Sequence, residues 1–174
     1  MTDFSFQEAF DYYNQHINRQ ERFRLLKEHK FSITGSIASI DWELFGAILT
    51  GDSGKLGYGS DLGSYEIKSA TGTGSFEYQY HLRGGLTKLK EDMVVDHIFI
   101  SYAPDYATVT VRLVQGIALE PFFQKWEPEL IVNYSGNNPR QRFWRSIAYG
   151  TVVKLGAIIM RIEDSQLVFP AMPH

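Results

Sequence analysis

The stretch Gly59-Ser60-Asp61-Leu62-Gly63-Ser64-Tyr65-Glu66-Ile67-Lys68-Ser69 decides how this chain is read. Gly63-Ser64 has the composition of a two-residue type II′ hairpin turn, with glycine in the first position. Such a turn predicts antiparallel strands over 56–62 and 65–71, with Leu62 paired to Tyr65 and Asp61 opposite Glu66. The Cβ atoms of that acidic pair would stand about 5 Å apart. Residues two apart on a strand share a face, so Lys68 projects beside Glu66 while Leu62, Tyr65 and Ile67 turn toward the core. Like charges facing each other destabilise a sheet unless something compensates. A divalent cation held by oxygen ligands is the natural compensation, and Lys68 adds positive charge on the same face. A second Glu-x-Lys triplet, Glu28-His29-Lys30, closes an expected helix. On a helix, residues two apart do not face each other. At ordinary usage of about 6% for each residue type, such a triplet arises by chance about once in a few hundred residues. Placement on a strand therefore carries the information, and the triplet alone does not.

Outward from this stretch, residues 4–29 read as one amphipathic helix through Phe6, Ala9, Phe10, Tyr13, Ile17, Phe23 and Leu26. A second helix is expected over 37–50, with Gly51 as its stop. A short strand at 76–80 precedes a helix over 83–93. Residues 94–103 form an apolar, β-branched run suited to a buried strand, and 108–114 alternate as a strand. Pro121 fits the first turn of a short helix over 122–126 that Pro128 ends. After a loop at 133–138, strands are expected near 147–155, 157–162 and 166–169. Helices, a strand cluster, then helix, strand and strand indicate an α/β (α+β) single domain over 1–174, with a central mixed β-sheet flanked by helices.

At 174 residues the chain can bury about 70% of its unfolded surface. Its 44% hydrophobic and 14% aromatic content exclude a disordered protein. The absence of cysteine excludes disulfides, thiolate metal sites and cysteine nucleophiles. Residues 1–10 carry acids and no basic n-region, so no secretion signal is expected. No apolar run approaches the ~18 residues of a membrane span. The expectation is a cytoplasmic protein without a membrane partner. A net charge of −3 argues against a purely electrostatic nucleic-acid binder. The charge is nonetheless uneven: residues 137–161 hold Arg140, Arg142, Arg145, Lys154 and Arg161 and no acid.

Two carboxylates holding Mg²⁺ beside an ammonium suit phosphodiester hydrolysis. The metal polarises a phosphoryl oxygen and lowers the pKa of a water, and the lysine orients that water or stabilises developing charge. Asp61 followed by Glu66-Ile67-Lys68 resembles the Asp…Glu-x-Lys signature of the PD-(D/E)xK nuclease superfamily. With its flanks, the stretch is similar to small type II restriction endonucleases. The resemblance covers roughly residues 41–103 and implies a restriction-endonuclease-like catalytic core; residues 104–174 carry no motif of the family and are expected to complete the sheet and contact DNA. It also implies Asp61, Glu66 and Lys68 as catalytic residues, with Asp61 and Glu66 as Mg²⁺ ligands and Mn²⁺ as a substitute ion. Glu43 matches the family's additional helix glutamate at the metal. Ser60 stands where the family often has proline. The short Asp-to-Glu spacing leaves Asp52 and Asp41 as alternative partners.

The implied activity is site-specific cleavage of double-stranded DNA, and a palindromic site would make the enzyme a homodimer. The alternatives are a repair nuclease or junction resolvase of the same superfamily, or a non-enzymatic binding domain. Asn138, Arg140, Arg142 and Arg145, beside Asn137 and Gln141, have the side chains that contact phosphates and read base edges. Against this stands a merely solvated basic face. Glu77, Gln79 and His81 share one strand face and are read as an exposed sheet edge, with DNA contact as the alternative. Lys88 and Lys90 read as solvating charge. His97 reads as a core histidine with one satisfied nitrogen. His16 and His29 lack partners at metal-ligand spacing, and Trp42, Trp126 and Trp144 read as core or interface residues.

Overall fold

The computed structural model describes residues 4–56 and 59–170. Alternating apolar positions build a five-stranded sheet in the order β1 (Tyr65–Thr71), β3 (Asp96–Tyr102), β4 (Val109–Val114), β6 (Ala157–Glu163) and β7 (Gln166–Phe169). β1 and β3 run parallel, in the register Glu66 to His97 and Lys68 to Phe99, and the remaining neighbours are antiparallel. β2 (Phe76–His81) and β5 (Arg142–Ile147) form a separate antiparallel pair in which Gln79 opposes Trp144. The chain is thus a mixed α/β protein with a mixed sheet and helices around it, to which residues beyond 103 contribute three of the five strands.

Both faces of this sheet are covered. One face, through Ile67, Ile98, Ile100, Val111 and Met160, packs on α1 (Phe6–Tyr12), a π-helical turn (Tyr13–Ile17), α2 (Gln20–Glu28) and α3 (Ser39–Thr50). The other, through Ala70, Phe99 and Val114, meets α4 (Gly85–Asp92), α5 (Gly116–Ser135), α6 (Tyr149–Leu155) and the inner aromatics of β2 and β5. Glu66, Lys68 and Ala70 alternate with Ile67, so Glu66 and Lys68 lie on that second, covered face. α3 packs closely on β1 because Gly46 has no side chain: a Cβ there would stand 2.5 Å from Ile67 Cδ1. That approach brings Glu43, one turn earlier on α3, over β1.

Four local expectations are corrected. The helix expected over 4–29 breaks, because Asn18 leaves helical geometry (φ −77°, ψ 63°) and α2 restarts from Arg19. This lets Ala9, Tyr13, Ile17 and Phe23 all reach one core. The short helix over 122–126 is instead the 20-residue α5, which runs through both Pro121 and Pro128. Each proline forfeits one backbone hydrogen bond, but burial of Leu119, Phe123, Trp126 and Leu130 along one face holds the helix together. The strand expected over 147–155 is β5 ending at Ile147, followed by α6. There Thr151, Val152 and Val153 are helical although β-branched, with Val152 buried in the second core. The fourth correction, to the strand over 56–62, belongs to the site. Among the described residues, no helix is long and apolar enough to cross a membrane.

Candidate active site

β1 is an edge strand: it pairs with β3 on one side, and loop 59–64 covers the other. Among the described residues, the two-strand hairpin expected here does not form. Leu62 N–H donates to Tyr65 O at 2.9 Å, as a two-residue turn requires, but among the described residues the preceding segment makes an isolated bridge between Gly54 and Leu62, with Lys55 N–H donating to Asp61 O at 3.1 Å, and no strand. Gly57 and Tyr58, within the expected strand, lie outside the described residues. Side chains replace the missing ladder. The Asp61 N–H donates to Glu66 Oε2 at 2.8 Å, and the Ile67 N–H donates to Asp61 Oδ2 at 3.1 Å. Asp61 therefore reaches Glu66 without being its cross-strand partner. The alternative aspartates are engaged elsewhere. Asp52 staples the turn, accepting from Ser64 N–H at 2.7 Å and Ser53 N–H at 2.8 Å. Asp41 caps α3 through Ala38 N–H and pairs with Arg19.

Glu66 is completely buried. Its Oε1 accepts from Lys68 Nζ and from Lys88 Nζ, the latter at 2.7 Å. Lys68 Nζ also lies 3.9 Å from Asp61 Oδ2, so one ammonium reaches both carboxylates. It stands 5.0 Å from the centre of the Tyr78 ring as well, on the inner side of β2. Lys88 is not a solvating charge, in contrast to Lys90, which is largely exposed beside Glu127. From α4 it donates to Gly59 O at 2.9 Å and to Asp92 Oδ1 at 3.2 Å in addition to Glu66. Burial pushes the Glu66 carboxyl up, but the two ammonium groups overcome this by charge and hydrogen bond and hold it at about 2. Burial raises Asp61, with Lys68 opposing and Glu66 reinforcing the rise. Burial and then the charge of Asp61 raise Glu43. Both lysines stay protonated: burial works against their charge, and the surrounding carboxylates, Glu66 foremost, raise them.

Behind the ion cluster lies a closed polar chain. The Asp92 carbonyl can only accept, so His97 donates to it from Nε2–H at 2.7 Å, and Nδ1 accepts from the Tyr78 hydroxyl at 2.8 Å. Both nitrogens of this core histidine are satisfied, rather than the expected one. Burial lowers His97 to about 4 and keeps it neutral. The Tyr80 hydroxyl donates to Asp92 Oδ2 at 3.0 Å. Burial and the Glu66 charge raise Asp92 to about 7, against the pull of Lys88.

A cleft of about 720 Å³ opens in front of β1, lined among others by Glu43, Lys68, Ser69, Glu77, Gln79 and Trp144. Lys68 and Glu43 face this space, and Asp61 and Glu66 stand behind them. Glu77 and Gln79, read as an exposed edge, are part of its wall. Trp42 and Trp126 are buried, whereas Trp144 is 46% exposed at the rim and is no core residue. Asn138, Arg140 and Arg142 are exposed. With Arg145 and Trp144, the two arginines border a neighbouring hollow of about 320 Å³ and not the cleft itself. Arg145 is partly neutralised, donating from Nε to Glu129 Oε2 at 2.8 Å, with its guanidinium 4.0 Å over the Phe143 ring.

The fold thus brings Asp61, Glu66, Lys68 and Glu43 together and leaves the Asn138–Arg145 group to one side. Lys88 and Asp92 were missed. Their spacing of four on a helix, opposite in charge, was the available signal. Among the described residues, no three His, Asp or Glu side chains converge closely enough to hold a metal ion. Compared with known proteins, the chain matches no family model and no curated relative.

Proposed function

We propose that the chain is a Mg²⁺-dependent, site-specific endonuclease for double-stranded DNA, of the PD-(D/E)xK kind that its Asp61…Glu66-Ile67-Lys68 stretch resembles. The observation that carries this reading is the reach of one ammonium, that of Lys68 on the wall of the cleft, to both Asp61 and Glu66 behind it. The donor set suits a hard cation. Glu43, Asp61, Glu66 and Asp92 share the charges of Lys68 and Lys88, and burial, with the neighbouring carboxylates adding to it, raises Glu43 and Asp61. Mg²⁺ needs no more than one or two carboxylates when waters and substrate phosphates complete its shell. Asp61 and Glu66 would hold it, with Glu43 assisting and Mn²⁺ able to substitute. When bound, the ion would polarise the phosphoryl oxygen and acidify a water.

The chain's own groups supply the rest. Lys68 faces the cleft with its charge intact and is placed to orient the attacking water or to stabilise charge on the scissile phosphate. Trp144 and Gln79 on the cleft wall would meet duplex entering it, and Arg140 and Arg142, exposed around the neighbouring hollow, would contact its flank, with Asn138 beside them. Cutting both strands of a palindrome would use a homodimer.

One observation favours a second reading. Glu66 is fully buried with donors on both oxygens, as in a structural ion cluster of a non-enzymatic domain. Incubation of the pure protein with phage DNA and Mg²⁺ separates the readings. Discrete bands support the proposal. Cutting confined to branched junctions would point to a resolvase, and no cutting with Mg²⁺ or Mn²⁺ would remove the enzyme.

A further inference from the structure

Lys88 is 18% exposed at its side chain and uses all three ammonium protons, on Gly59 O, Glu66 Oε1 and Asp92 Oδ1. Its partners are unequal in one respect. Asp92 lies one turn further along the same helix, and Gly59 belongs to the loop covering β1, whereas Glu66 belongs to the strand that carries the reactive groups. Loss of the Glu66 contact would leave Lys88 with two of its three acceptors, so a side-chain shift releases it without unsatisfying a buried charge. Glu66, by contrast, has both oxygens taken, Oε1 by two ammonium groups and Oε2 by the Asp61 amide. A cation arriving at Glu66 must displace one of these donors. Lys68 faces the cleft and also reaches Asp61, and the Asp61 amide is fixed in backbone, so Lys88 is the donor freest to leave.

We propose that Lys88 is a positioning residue that stands in for the divalent ion: it holds Glu66 in place before the ion arrives, competes with it, and retreats onto Asp92 when it binds. This rests on the metal-site reading above. It implies that metal affinity is set lower than the carboxylates alone would give.

The test is calorimetric titration of the full chain with Mn²⁺ alone. Lys88→Met removes the competing charge at similar length and should bind Mn²⁺ about tenfold more tightly than wild type, the effect of relieving a fraction of one close like-charge repulsion. Lys88→Arg retains the charge and should stay within about threefold of wild type. Unchanged or weaker binding by Lys88→Met, with wild type binding normally, overturns the competitor role and leaves the nuclease reading standing. No Mn²⁺ binding by wild type overturns both. Because Lys88→Met exposes Asp92 and Glu66 to each other and could unfold the chain, a second measurement uses wild type. Its Lys88 side-chain ¹⁵N resonance, assigned by its loss in Lys88→Arg, should move on addition of Mg²⁺ while that of exposed Lys90 does not. A Lys88 resonance indifferent to Mg²⁺ sinks the proposal.

Discussion

The chain holds the same triplet in two settings. Glu28-His29-Lys30 ends α2, where all three residues are exposed, Glu28 pairs with Arg24 on its own helix, and Lys30 turns away at φ 61°. Glu66-Ile67-Lys68 lies in β1, where Glu66 and Lys68 bond each other on a covered face and Ile67 enters the opposite core. In the first setting water screens the charges and the pair is worth little. In the second, every charge needs a partner and the partners shift one another's proton affinities. Backbone geometry and burial, not residue identity, separate the two.

The largest contrast should be in cleavage. On the proposed nuclease reading, in which the lysine serves the transition state, Lys68→Ala should slow DNA cutting on the order of a thousandfold or more while leaving duplex binding in Ca²⁺ near wild type. Lys30→Ala should cut like wild type. Gel assays that find Lys68→Ala within tenfold of wild type would erase the functional half of the contrast.

Stability comes next. Glu66→Gln keeps the shape but removes the one carboxylate that Lys68 and Lys88 share, leaving them only Asp61, Gly59 O and Asp92. It should lower unfolding free energy by about 3 kcal/mol in denaturant titrations, the low end for breaking a buried pair. Glu28→Gln should leave the midpoint unmoved. Equal midpoints for the two variants would mean that water reaches Glu66 and that the buried setting is wrong.

The smallest effect concerns the neighbouring histidines. His97 faces Glu66 across the β1–β3 register and is held at about 4, against an ordinary value of 6.5. As pH falls from about 6.5 toward 4, the unfolded chain takes up a proton that the folded chain refuses, so this group's contribution to stability declines over that window. Asp92, raised to about 7, acts oppositely: its contribution is full below about 4 and fades as pH rises through 7. The difference between wild type and His97→Gln isolates the histidine, and it should shrink as pH drops from 6.5 to 4. His29→Gln, at the exposed triplet, should track wild type at every pH. A parallel course for His97→Gln would show that His97 titrates normally.

Much of the site was legible because it is local. Asp61, Glu66 and Lys68 lie within eight residues of sequence, and strand alternation was enough to put Glu66 beside Lys68. The expected hairpin was nevertheless wrong: Asp61 is held by side-chain-to-backbone bonds, which no strand pattern reveals. Lys88 was misread because a charge four residues from another on a helix has the same pattern whether it faces water or a buried carboxylate. Pro121 and Pro128 looked like boundaries, and packing of α5 overrode them.

The sequence by itself determined the strand carrying Glu66 and Lys68, the turn before it, the mixed α/β class and the apolar faces of most elements. These depend on residues a few positions apart, and local backbone geometry relates such residues in only a few ways. Tertiary structure alone decided that β1 pairs in parallel with β3, that α3 covers one face of it while α4 and β2 cover the other, and that Lys88 and Asp92 meet Glu66 there. An apolar pattern says that a face is covered without saying by what. The strength of a charge interaction is set by how much water its surroundings exclude, and that is known only once the distant parts of the chain have come together.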